Sequence, residues 1–176
     1  MSRMIGDMLF IAKADDGQII PEPQRMALEQ VAEELLEFYQ LLAEEQGIEL
    51  SATGKASING DPLMIRRAMS NLLSNAIRHT PPGGHVSVAI STRASECVEI
   101  AVINSGVTIP DEHLSRLFDR FYRADPARHG DGAHSGLGLA IVKSIIEAHG
   151  GTVKVISAAG LTSFVLSIPL AGLEHA

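Results

Sequence analysis

The tightest constraint in this chain is a glycine pair that opens straight into an amphipathic helix, Ser135-Gly136-Leu137-Gly138-Leu139-Ala140-Ile141-Val142. The helical pattern continues through Lys143, Ile145, Ile146 and Ala148, and Gly150-Gly151 stop it. Glycines at a helix start let backbone approach a ligand closely, and the unpaired N–H groups there carry partial positive charge. Such a start suits a phosphate group, and it equally suits close packing against another helix. It is not a Walker loop, because no Lys-Ser or Lys-Thr follows the glycines. Nor is it the dinucleotide fingerprint, which needs three glycines after a strand.

Three upstream segments decide between those readings. In the first, Asp61 is placed to cap a helix and Pro62 to occupy its first turn. Ile65, Met69, Leu72, Leu73, Ala76 and Ile77 then fall on one face as a core stripe. On the other side Arg67, Asn71, Asn75 and Arg78 share a narrow arc, with His79 at its edge. A solvated face looks similar, but asparagine is a poor mid-helix residue because its side chain competes for the backbone. Two of them at i, i+4 suggest a chemical use. A carboxamide oxygen is a hard ligand suited to magnesium, and Arg78 one turn on can meet phosphate oxygens. The second segment is an alternating strand, Val98 to Ile103, running into Asn104-Ser105-Gly106-Val107-Thr108-Ile109-Pro110, a turn before a helix that Pro110 starts. The third is Leu117-Phe118-Asp119-Arg120-Phe121-Tyr122-Arg123, ahead of a polar run with His129, Gly130, Gly132 and His134. This aromatic knot reads either as the hinge of a lid or as a small satellite core.

In this order the segments resemble the catalytic ATP-binding domain of bacterial sensor histidine kinases, in the superfamily shared with DNA gyrase and the mismatch-repair ATPases. Asn71-Leu-Leu-Ser-Asn75-Ala-Ile-Arg78-His79-Thr80 resembles the N box, and Asn104 to Pro110 stands in the place of the G1 box. Phe118 to Arg123 resembles the F box, and Ser135 to Val142 the G2 box. The stretch Leu63 to Asn71 and the Asn-x-Gly form of G1 are most similar to the heavy-metal sensor kinases of the copper and silver type. The resemblance implies an α+β two-layer sandwich, a mixed and mostly antiparallel sheet with helices on one face. It also implies ATP and magnesium as ligands.

Carried over by position, the resemblance implies that Asn75 ligates magnesium bridging the phosphates and that Asn71 sits beside them. Arg78 and His79 match positions that contact phosphate or cover the nucleotide. Tyr122 and Arg123 match F-box positions, with Arg123 able to reach the terminal phosphate, so Asn71, Asn75 and Arg123 form the expected catalytic set. Ser135, Gly136, Leu137, Gly138 and Leu139 match the G2 segment that closes over the phosphates. Asn104, Gly106, Ile109 and Thr162 match the adenine side. The G1 box ordinarily carries an aspartate that accepts a hydrogen bond from the adenine amino group, and here the residue is Asn104. An amide oxygen accepts that bond more weakly than a carboxylate and must be correctly oriented. Thr108 replaces the second G1 glycine and is expected to narrow the adenine pocket, and His134 stands where a leading G2 glycine is usual. These departures leave open a degenerate binding module that acts mainly through protein contacts.

The rest of the sequence agrees with a compact domain. With 176 residues and 45% hydrophobic content, one core is affordable. A net charge of −7 argues against a nucleic-acid partner, and the single Cys97 excludes a disulfide framework. No run has the length of a membrane span, and Asp7 interrupts the leading apolar stretch, so no signal peptide is expected. Expected elements are a helix from Met1 to Ala14, a strand at Ile19 to Pro21 and a helix from Leu28 to Gln46. Strands at Ile48 to Ala52 and Ala56 to Asn59, the Asn-bearing helix, strands at Val86 to Arg93 and Val98 to Asn104, and the Pro110 helix follow. After the lid (Ala124 to Ser135) and the glycine-led helix, strands at Thr152 to Ser157 and Ser163 to Pro169 close the chain. Met1, Ile5, Met8, Ile11 and Ala12 make an apolar stripe without a cap before it. Residues 1–16 are read as the end of a dimerisation-hairpin helix and 17–176 as the ATP-binding domain. Because no histidine precedes His79, the phosphoacceptor is expected on a dimerisation domain outside this chain, and the chain alone is not expected to phosphorylate itself. The resemblance further implies a cognate response regulator and a parent that is a membrane-bound homodimer, with this segment its cytoplasmic domain at the inner membrane.

Overall fold

The computed structural model describes residues 2–93, 96–122 and 136–170. The chain forms α1 (Ser2–Asp15), β1 (Gln24–Ala27), α2 (Leu28–Glu45), β2 (Glu49–Thr53), β3 (Ser57–Gly60) and α3 (Pro62–His79). It continues with β4 (His85–Arg93), β5 (Cys97–Ser105), α4 (Asp111–Leu114), α5 (Gly138–Ala148), β6 (Thr152–Ala158) and β7 (Leu161–Pro169). Five strands make one sheet in the order β2-β4-β5-β7-β6, while β1 and β3 form a separate antiparallel ribbon. Among the described residues, only the β2–β4 pairing is parallel in the larger sheet. Alternate residues of β5 and β7 are buried, including Val98, Ile100, Val102, Phe164, Leu166 and Ile168, because the helical layer covers that face. The expected two-layer sandwich is therefore the observed one.

α3 begins as its sequence dictates. Asp61 Oδ1 accepts from the N–H groups of Leu63 and Met64, each at 3.1 Å, and Pro62 occupies the first turn. Its buried face is Ile65, Ala68, Met69, Leu72, Leu73, Ala76 and Ile77, and each large side chain there contributes about 1.5–3 kcal/mol by leaving water. α2 packs alongside, with the Tyr39 hydroxyl 2.8 Å from Ser70 Oγ and an ion pair between Arg66 and Glu34. α5 is almost wholly apolar toward the sheet, burying Ala140, Ile141, Val142, Ile145 and Ile146. Its end is fixed by Gly150 (φ 71°), whose N–H donates to Glu147 O while the Gly151 N–H donates to Ile146 O. His149, fully buried, sits at that end. Its Nδ1 hydrogen donates to Ile145 O at 2.7 Å, and its Nε2 accepts from the Asp61 N–H at 3.0 Å. The end of α5 is thus tied to the beginning of α3.

Two expectations are corrected. The strand expected at Ile19 to Pro21 lies instead at Gln24–Ala27, paired with Ser57–Gly60. Pro21 and Pro23 lack the N–H a ladder needs, and Ile20 is 71% exposed. The helix expected after Pro110 is a single turn, α4, which continues as i to i−3 turns through Arg116, Leu117 and Asp119. α1 lies against α3 and α5 through Asp7, Phe10, Ile11 and Ala14, while Met4, Ile5, Met8 and Leu9 are exposed, so of the apolar stripe Ile11 alone is buried among the described residues. Arg67 holds the docked face, since its guanidinium pairs with Asp7 at 2.7 Å and covers the Phe10 ring at 4.4 Å.

Candidate functional site

The polar side of α3 faces the start of α5. Asn71 Nδ2 donates to Gly138 O at 3.2 Å, so the first asparagine binds the backbone of the glycine-led turn. One turn on, half-buried Asn75 directs Oδ1 toward the Arg78 guanidinium at 3.0 Å, and that guanidinium also reaches His79 Nε2 at 3.4 Å. A hard oxygen and a cation are therefore presented together on the surface of one helix. At the start of α5, Leu137 is buried, and among the described residues no side chain caps the first turn. The bond from Asn71 to Gly138 O places that turn beside the asparagine face.

Gly136 shows why glycine stands there. It has φ 67°, and a Cβ would lie 2.9 Å from Phe121 Cα. The Phe121 N–H donates to Gly136 O at 3.1 Å, so the F-box segment and the G2 segment touch through backbone. Phe118 stacks edge-on against Phe164 and joins the core, whereas Phe121 is 57% exposed. The aromatic knot is split accordingly, one ring serving the core and the next the surface. Leu139 packs partly against the core. Arg123, Ser135 and the lid with His129, Gly130, Gly132 and His134 lie outside the described residues.

A second polar cluster forms where β5 leaves the sheet. Asn104 is buried and pairs across the ladder with Thr162. Its Nδ2 donates to Ser105 O at 3.2 Å, which fixes the amide and leaves Oδ1 as the atom able to accept from a ligand. The Thr162 hydroxyl lies 2.8 Å from Ser157 Oγ, and Ser157 Oγ accepts from the Ile109 N–H at 2.9 Å. Gly106 completes the junction, since a Cβ there would lie 3.0 Å from His79 O. Thr108, expected to narrow a pocket, turns its hydroxyl to accept from the Gly160 N–H at 3.1 Å and pins the loop to the β6–β7 turn. Ser157 escaped the sequence reading; its signal was a serine in alternation with Val153 and Val155, on the inward side of the edge strand.

Tyr122 is held by α4 and the turn after it. Its hydroxyl lies 2.6 Å from His113 Nδ1, and the Arg116 guanidinium covers its ring at 4.4 Å. No group of three His, Cys, Asp or Glu side chains suited to a metal occurs among the described residues. A lone amide oxygen such as Asn75 Oδ1 fits magnesium only when phosphate oxygens and water supply the remaining ligands.

Residues 60–172 match the family described as histidine kinase-, DNA gyrase B- and HSP90-like ATPase. The chain is 50% identical over 173 residues to the sensor histidine kinase CusS of Escherichia coli O157:H7, covering 98% of this chain and 36% of that protein. It is 46% identical over 176 residues to the probable sensor kinase SilS of Salmonella typhimurium, covering 96% and 35% respectively. The chain therefore spans about a third of the length of these curated relatives. Among solved structures, the mycobacterial sensor histidine kinase MprB is 31% identical with a TM-score of 0.73, over 83% of this chain and 97% of that one. Full-length ShkA in complex with AMPPNP superposes with a TM-score of 0.85 at 25% identity, over 97% of this chain and 36% of ShkA. The chain belongs to the histidine kinase-, DNA gyrase B- and HSP90-like ATPase family, as a catalytic domain of the sensor histidine kinase kind.

Proposed function

We propose that this chain binds magnesium ATP between α3 and α5 and donates the γ-phosphoryl group to a histidine on a dimerisation domain outside residues 17–176. The observation that carries this reading is the bond from the Asn71 side chain to Gly138 O, which holds the asparagine face against the uncapped start of α5. Asn75 would supply an oxygen to magnesium. Asn71, Arg78, His79, Arg123 and the segment Ser135 to Leu139 would line the phosphates, and Asn104, Gly106, Ile109 and Thr162 the adenine. ShkA, similar in fold, was solved with AMPPNP, which supports a nucleotide in this fold. In the transfer the bond from the γ-phosphorus to its β-bridging oxygen breaks as one from an imidazole nitrogen forms, and ADP leaves. The residues contribute positioning and charge neutralisation.

The fixed amide of Asn104 disfavours the degenerate-module reading, because its oxygen remains available to the adenine amino group. The exposed Met4, Ile5, Met8 and Leu9 support α1 as the end of a hairpin helix that a second copy would cover. ThkA was solved in complex with the response regulator TrrA, and a cognate response regulator is proposed here on that likeness. Among the described residues no helix is long and apolar enough to cross a membrane. A place on the cytoplasmic side of an inner-membrane homodimer is proposed through its likeness to sensor histidine kinases. Calorimetric titration with a non-hydrolysable ATP analogue, with and without magnesium, tests the site. Binding that strengthens with magnesium in the wild type but not in Asn75→Ala is the expected result. No binding in either condition would overturn the proposal.

A further inference from the structure

The chain's charge imbalance is concentrated on one helix. α2 holds six glutamates and no lysine or arginine, in a chain whose net charge is −7. Its inward side, with Leu28, Ala32, Leu35 and Ala43 buried, packs against β2 and α3. Its outward side bears Phe38, Leu41 and Leu42, which are 73%, 69% and 42% exposed. At about 100° per residue, Glu33, Glu37 and Glu44 line one edge of this apolar strip, and Glu34 and Glu45 stand along its middle. All five carboxylates are exposed. Such a helix is not what stability alone selects. Glu33 and Glu37 are like charges one turn apart, and Glu44 and Glu45 lie in the last turn, where the helix dipole disfavours anions. Arg66 pairs with Glu34, but among the described residues no cation pairs with Glu33, Glu37, Glu44 or Glu45. Nor does α1 cover this face, since it lies against α3 and α5.

We infer that the outward face of α2 is a docking surface for a basic amphipathic helix of another protein. Phe38 and Leu41 are its apolar anchors, and the line Glu33, Glu37, Glu44 meets the partner's lysines or arginines. The acids recur at helical spacing over about 16 Å, at roughly 1.5 Å per residue, so three turns of a partner helix match them. Charge selects this occupant over two others. A second copy of the chain would set glutamate against glutamate, and an anionic lipid surface would meet the same repulsion. The surface is built from α2 alone and does not depend on the nucleotide reading of α3 and α5.

The probe is a synthetic helical peptide of about 18 residues, five turns long, with leucines on one face and lysines along its edge. Calorimetry on the whole chain should show it binding, with affinity falling about tenfold between roughly 0.05 and 0.5 M salt. Phe38→Ser combined with Leu41→Ser should weaken it by about tenfold or more. Glu33→Lys combined with Glu37→Lys should abolish binding of the lysine peptide and create binding of its glutamate counterpart. Glu96→Lys combined with Asp111→Lys makes the same change in net charge at exposed sites off α2, and should alter affinity less than about twofold. No binding, equal binding of a scrambled peptide of the same composition, or equal losses in the two charge-reversed pairs would overturn the docking surface. A dimer in sedimentation that Phe38→Ser with Leu41→Ser dissolves would assign the face to a second copy. Phosphatidylglycerol vesicles that bind the wild type but not that variant would assign it to a membrane. Either outcome overturns the basic partner.

Discussion

The two ends of α5 are built in opposite ways. Its last turn is closed by Gly150 and Gly151, sealed by the fully buried His149 and joined to the capped start of α3 through the Asp61 N–H. Among the described residues its first turn has no capping side chain, and it is held by the Asn71 amide on Gly138 O. A helix with a free first turn and a firm anchor at the other end can present its leading N–H groups to a ligand without itself shifting. The closed end carries stability, and the open end is where nucleotide binding is proposed.

The largest expected effect is at the closed end. His149→Ala leaves the Asp61 N–H without its buried acceptor and opens a cavity, so urea unfolding should show a loss of about 2–4 kcal/mol. Below the new transition, ATP-analogue affinity should stay within about twofold; a large affinity loss at undiminished stability would reverse the comparison. Gly136→Ala comes next. A Cβ at φ 67° facing Phe121 backbone should cost about 1–2 kcal/mol and should also weaken the nucleotide, because it moves the F-box contact. Asn71→Ala removes one side-chain bond at the open end and should cost about 1 kcal/mol in unfolding, while calorimetry shows a disproportionate loss of nucleotide binding.

The smallest effect is one of pH. Burial raises the Asp61 pKa, but the N–H groups of Glu22, Met64 and Leu63 lower it by more, so the carboxyl titrates below its ordinary 3.8. A group lowered by folding stabilises fully above the unfolded value of 3.8 and loses that contribution as pH falls through the folded one. Asp61→Asn keeps one oxygen to cap α3 but sets an NH2 donor against the Glu22 N–H, so it should flatten this acid limb in pH-dependent unfolding by lowering the stability above it. An unchanged acid limb would place the titration elsewhere.

Much of this was legible in the chain itself, for identifiable reasons. Asp61-Pro62 and the apolar stripe through Ile77 specify α3 locally, and Gly150-Gly151 specify the end of α5, because caps and periodicity are short-range signals. The displaced β1 was not legible, since the pairing that places it lies thirty or more residues downstream, at Ser57–Gly60. The docked face of α1 depends on Arg67, and the roles of His149, Ser157 and His113 depend on partners from distant segments. In the candidate site, residue types and spacing marked Asn71 and Gly138, but only the fold shows that the one bonds the other. Likewise the sequence shows Asn104 in place of an aspartate, and only the Ser105 carbonyl shows which way its amide points.

The grip on Tyr122 has an optical consequence. The chain contains no tryptophan and two tyrosines, so its near-ultraviolet emission comes from Tyr39, beside Ser70 on the α2–α3 seam, and from Tyr122. Replacing Tyr39 with phenylalanine leaves a single fluorophore, pressed between an imidazole and a guanidinium. The emission of that phenol then becomes a built-in gauge of whether the F-box segment is seated on α4, readable in solution without any attached dye.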